Sequence, residues 1–136
     1  MKLRNFLPIL MLLPILLLAA GCLSPASITP ATITRLTPNE QPRNANNLYP
    51  VEVIFTSQQQ TLRWDSLQAY VVANGDALPL RSVAMLTNRW EGFVPVPPTA
   101  NEVKYRFKFT YLYNGFGQPK PNSEFSPNYT LKVLDQ

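Results

Sequence analysis

From residue 48 onward the chain alternates apolar and polar residues with a period of two, the repeat of strands that bury one face. The stretch "EVKYRFKFTYLY" (102–113) shows it most fully. Val103, Tyr105, Phe107, Phe109, Tyr111 and Tyr113 fall on one side, and Lys104, Arg106, Lys108, Thr110 and Leu112 on the other. A helix would scatter these aromatics round its circumference, whereas a strand gathers them into one wall. "LYPVEVIFTS" places Val51, Val53 and Phe55 on one face, and "NYTLKVL" (128–134) does the same with Tyr129, Leu131 and Val133. "SLQAYVVA" (66–73) runs into Asn74-Gly75, the pair best suited to the two positive-φ positions of a tight hairpin turn. "LPLRSVAML" (78–86) is therefore predicted as the returning strand. "RWEGFVPV" (89–96) is another strand, closed by Pro97-Pro98, neither of which can donate to a ladder. No stretch keeps a helical period over three turns.

These short strands, separated by turn signals, predict an all-β fold over residues 32–136: an antiparallel β-sandwich of about seven strands. Thr32 to Leu36 suits a first edge strand. Pro38, Pro42 and the asparagines that follow suit an irregular connection, so residues 32–47 are either a strand and a loop or an extension of a linker. The aromatic wall, with Trp64 and Trp90, supplies the large inward side chains that a two-sheet core requires. The pattern resembles the immunoglobulin-like family, although the Cys–Trp–Cys core of antibody domains is absent.

The first residues follow a different rule. Lys2 and Arg4 precede a charge-free run from Phe6 to Ala20, which ends in small residues; this is the layout of an export signal. The run is shorter than the ~20 apolar residues of a spanning helix and contains Pro8 and Pro14. The chain's single cysteine, Cys22, comes directly after it. Leu18-Ala19-Ala20-Gly21-Cys22 resembles the lipobox of bacterial lipoproteins, with Ala19 where Leu is commoner. The resemblance implies removal of residues 1–21, acylation of Cys22 and attachment to a membrane of the cell envelope through those acyl chains. One acyl chain anchors only marginally, so two or three are expected. Leu23, in place of an Asp after the cysteine, implies passage to the outer membrane in a diderm cell. "LSPASITPA" (23–31) then reads as a flexible tether, making 22–31 the anchor and spacer.

Composition narrows the chemistry. The sequence has no histidine, which removes the commonest general base and metal ligand. The only thiol is the one expected to be acylated. The eight acidic residues are scattered without a calcium-loop pattern, and the five glycines form no phosphate-binding loop. A noncatalytic protein without metal or cofactor is expected. Lys2 and Arg4 supply half of the net charge of +4, so the exported part carries no nucleic-acid footprint. Asn128-Tyr129-Thr130 matches a glycosylation sequon and is read as a chance match inside a strand.

Two features are candidates for contact. Lys104, Arg106 and Lys108 form a basic stripe at strand spacing, either a solvated face that discourages edge aggregation or a contact for an acidic partner or anionic glycan. "LYNGFGQPKPNSEF" (112–125) reads as a long loop carrying Tyr113, Phe116, Lys120 and Phe125, either a binding loop or a packed connection. "RWEGFVPVPPTANEVKYRFKFTY" (89–111) is also similar to the closing half of glycogen- and starch-binding E-set domains, through Trp90 and Tyr105-Arg106-Phe107-Lys108. That resemblance implies a related fold and, with it, sugar binding. The expectation is a lipid-anchored envelope protein that acts as a binding or scaffold subunit for another envelope protein. The alternative is a glycan-binding module in which Trp64, Trp90 or the loop aromatics stack on sugar rings.

Overall fold

The computed structural model describes residues 28–136, so the expected export signal and Cys22 lie outside the described residues. Ten strands follow in order: β1 Thr32–Arg35, β2 Glu40–Pro42, β3 Leu48–Thr56, β4 Leu62–Ala73, β5 Asp76–Pro79, β6 Arg81–Ser82, β7 Arg89–Pro95, β8 Glu102–Tyr113, β9 Lys120–Phe125 and β10 Tyr129–Leu134. They form two sheets. The smaller runs β1-β3-β7-β6, and the larger runs β2-β10-β8-β4-β5, with β9 also paired to β8. This is the immunoglobulin-like order, the first strand's two halves being shared between the sheets.

The period-two pattern does what it predicts. All six odd-numbered residues of β8 from Val103 to Tyr113 are buried. Tyr49, Val51, Val53 and Phe55 of β3 face them, and the Phe55 and Phe109 rings meet at 4.6 Å between centroids. The turn at Asn74-Gly75 has φ values of 53° and 86°, as a two-residue hairpin between β4 and β5 requires.

Four expectations change. Residues 78–86 are not one returning strand. β5 pairs with β4 and β6 pairs with β7, and the chain crosses between the sheets at Leu80. Pro79 has no amide to extend the ladder, and Leu80 packs over Gly92, where an added Cβ would lie 2.5 Å from Leu80 Cδ2. Residues 120–125 are not loop but strand β9, which shortens the 112–125 loop to 114–119. β9 lies at a sheet edge, where Pro121 is tolerated. Residues 32–47 hold the expected edge strand as β1, but where an irregular connection is expected the short strand β2 forms and runs parallel to β10, so the sandwich is not wholly antiparallel. Trp64 is not core. The β4–β8 register passes from Arg63↔Leu112 to Gln68↔Thr110, and the intervening bulge leaves Trp64 47% exposed, its ring meeting Phe55 nearly at right angles at 6.2 Å.

The fold takes hold of the chain slightly before the expected boundary. The Thr29 amide donates to Gln59 Oε1 at 2.6 Å, and the Ala31 amide donates to the Glu124 carboxylate at 3.0 Å. The described chain therefore enters the sandwich at the end formed by the β3–β4, β6–β7 and β8–β9 connections.

Candidate binding surface

Each sheet has an outward face, and their charges are arranged differently. On the smaller sheet Glu52 and Glu91 are cross-strand neighbours, a repulsive pairing on its own. Arg89 pairs with Glu52, and Arg81 pairs with Glu91 at 2.7 Å, so this face satisfies itself.

The larger sheet's outward face does not. Lys104, Arg106 and Lys108 point outward from β8, and none of the three closes an ion pair among the described residues. Phe125 of β9 lies among them. The Arg106 guanidinium stands 4.2 Å from the Phe125 ring centroid and Lys108 Nζ 5.7 Å from it. Cross-strand pairing fixes this cluster: Lys108 is opposite Phe125 on one side and Tyr70 of β4 on the other. Tyr70 in turn donates from its hydroxyl to Gln68 Oε1 at 2.9 Å.

Above this cluster the β4 bulge and β9 rise on either side of β8 and form an open groove of about 440 Å³, lined by Ser66, Gln68, Thr110, Leu112, Pro121 and Ser123. The bulge is held by Ser66, whose hydroxyl accepts the Leu112 amide at 2.8 Å and donates to the Arg63 carbonyl at 2.6 Å. Apolar surface from Leu112 and Pro121 edged by the polar groups of Gln68, Thr110 and Ser123, with cations and aromatic rings at one end, suits an extended amphipathic ligand bearing negative charge.

The other residues named from the sequence are dispersed. Phe116 stands 79% exposed in the 114–119 loop, and Lys120 is exposed at the start of β9. Tyr113 is buried as the last inward residue of β8, opposite Leu62, so it packs the core and is unavailable for contact. Trp90 faces inward beside Val53 and meets Phe109 edge-on at 6.3 Å, so its ring is used within the sandwich. Cys22 is outside the described residues.

Neither Tyr70's place in this face nor the groove is legible in the sequence. Tyr70 sits in an apolar run where its outward direction depends on the pairing of β4 with β8. The groove depends on a bulge that no period reveals.

No family model, curated protein or solved structure matches this chain.

Proposed function

We propose that this is a lipid-anchored envelope protein whose sandwich is a noncatalytic binding module for another envelope protein, engaged through the outward face of the larger sheet. The observation that carries the contact is the Arg106–Phe125–Lys108 cluster, cationic and without ion pairs, beside the open groove. It fits a partner segment with acidic and amide groups, since charge complementarity steers association and fixes register. The anchor rests on the lipobox-like residues Leu18 to Cys22.

Affinity purification of the full-length protein from detergent-solubilised membranes tests the contact. Arg106→Glu with Lys108→Glu should abolish capture of the principal partner, whereas Arg81→Glu on the opposite face should leave it. Equal capture by all three proteins would sink this surface. Labelling with a palmitate analogue tests the anchor, and Cys22→Ser should lose both the label and membrane association.

The groove walls favour a second reading, a glycan as the ligand, because Gln68, Thr110 and Ser123 present hydrogen-bonding groups that sugars use, beside the apolar surface of Leu112 and Pro121. Binding on a glycan array that disappears with Gln68→Ala and Ser123→Ala would favour it over a protein partner.

A further inference from the structure

The exposed apolar side chains are unevenly placed. Met85 is fully exposed (103%) at the β6–β7 connection with Leu86 half-exposed beside it, Phe116 is 79% exposed at the β8–β9 connection, and Trp64 stands out from the bulge. These two connections and the β3–β4 connection occupy one end of the sandwich. The register places Thr32 beside Thr56, Ile54 beside Arg89, and Tyr113 beside both Leu62 and Lys120. The Asn88 carbonyl accepts the Phe55 amide at 2.9 Å, and the Thr61 carbonyl accepts the Asn114 amide at 2.8 Å. Residues 57–61, 83–88 and 114–119 contain no charged side chain. At the opposite end the turn at Asn74-Gly75 and the 43–47 and 96–101 connections themselves expose no large apolar side chain; Leu48 and Leu134 beside them are half-exposed, and nothing there stands out as far as Met85 or Phe116.

Met85 is the third residue of a tight turn closed by the Leu86 amide on the Val83 carbonyl at 3.3 Å, and its φ of 63° is the left-handed value such a turn takes there. The turn holds the methionine out in solvent at the tip of the connection.

The tether reaches the sandwich at this same end, through Thr29 and Ala31. From Cys22 to Ile28 the chain spans at most about 20 Å, at ~3.3–3.6 Å per residue. β8, at 12 residues, is about 40 Å long at ~3.4 Å per residue. With acyl chains on Cys22, the end bearing Met85 and Phe116 is therefore held nearest the bilayer and within reach of it.

We propose that this end is a membrane-docking surface: Met85, Leu86 and Phe116 enter the headgroup region of the bilayer, and Lys120 beside them meets anionic lipid phosphates. Charge-free loop tips avoid the cost of desolvating ions in the interface, and aromatic and long apolar side chains partition there. Docking would hold the sandwich upright, with the groove and the Arg106–Phe125 cluster facing sideways toward neighbouring envelope proteins. This inference rests on acylation of Cys22.

Acylation blocks the chain's only thiol, so an introduced cysteine can carry a spin label selectively in the full-length protein. Met85→Cys, Phe116→Cys and, at the far end, Asp76→Cys would be compared in vesicles of phosphatidylethanolamine and phosphatidylglycerol. At positions 85 and 116, relaxation by oxygen should exceed relaxation by a water-soluble nickel chelate. At position 76 the order should reverse. Equal, water-like accessibility at all three positions in acylated protein would overturn the docking surface and leave the anchor standing. Protection from both agents at 85 and 116 would mean that protein covers the tips, which also overturns it. Absence of acyl chains from the purified protein, read by mass, would overturn anchor and docking together.

Discussion

Ser126 joins two strands that share one edge of β8: its hydroxyl accepts the Phe107 amide at 2.8 Å, and its own amide donates to the Phe107 carbonyl at 3.0 Å. β9 covers β8 from Lys108 to Tyr113, and β10 covers it from Glu102 to Tyr105. Without Ser126 the ladder would be interrupted in the middle of the core strand. Ser126→Ala should leave the buried Phe107 amide without an acceptor and cost ~1–3 kcal/mol. Urea unfolding of the two proteins measures it, and a difference near zero would show that the backbone bond alone closes the gap.

Tyr105 places its hydroxyl in the sandwich near Arg35 and Thr37, without a hydrogen bond of good geometry to either. Burial is the larger influence and pushes the phenol above its ordinary value of 10.0, against the opposing pull of Arg35 and Thr37. Tyr111 is shifted the same way, chiefly by burial. With a raised native value, the folded protein keeps a proton that the unfolded chain has released. This stabilisation is complete below about pH 10 and is lost as pH rises through the native value. Tyr105→Phe should therefore flatten the alkaline fall of the urea midpoint between pH 9 and 11. At pH 7 it should change stability by less than ~1 kcal/mol, because it removes a buried hydroxyl that lacks a partner.

The two faces of β8 should respond differently to truncation. Phe107→Ala and Phe109→Ala each empty a fully buried site and should cost ~3–5 kcal/mol. Lys104→Ala, at an exposed position, should stay within ~0.5 kcal/mol. Thermal or urea unfolding separates the two classes.

Arg106 and Phe125 should be coupled in the folded protein before any partner arrives. A double-mutant cycle with Arg106→Ala and Phe125→Ala is expected to give ~0.5–1 kcal/mol, the range for a cation over an aromatic face near the surface. Lys108, farther from the ring, should couple less. A coupling of zero for Arg106 would leave the stripe as a solvated surface and weaken its assignment as a preformed contact.

The core was legible in the sequence because burial imposes a period, and β3, β8 and β10 keep it from end to end. Asn74-Gly75 was legible because its backbone conformation restricts residue choice. What escaped depended on partners distant in sequence. Trp64 looks like core until the register with β8 shows that it sits in a bulge. Residues 120–125 look like loop because Pro121 and the polar residues around it obscure an edge strand. Of the contact residues, Lys104, Arg106 and Lys108 were readable as a stripe. Their neighbour Tyr70 was not, since only the pairing of β4 with β8 brings it there. Tyr113 shows the converse: alternation already put it inward, and its place beside a Gly-rich loop suggested a contact that burial rules out.

The parallel pairing of β2 with β10 sets how the molecule bears a mechanical load. Its two ends, the entry at residue 28 and the exit at Gln136, lie at opposite ends of the sandwich. A pull between them drags β2 and β10 past one another along their length. The bonds from the Lys132 amide to the Asn39 carbonyl and from the Arg43 amide to the Leu134 carbonyl, each 2.8 Å, are then strained together and not opened one after another. Arg43 adds a side-chain clamp at the same place through its ion pair with Asp135. Strands loaded in shear yield at higher force than strands that unzip, so the short parallel strand acts as a strain relief for the core behind it.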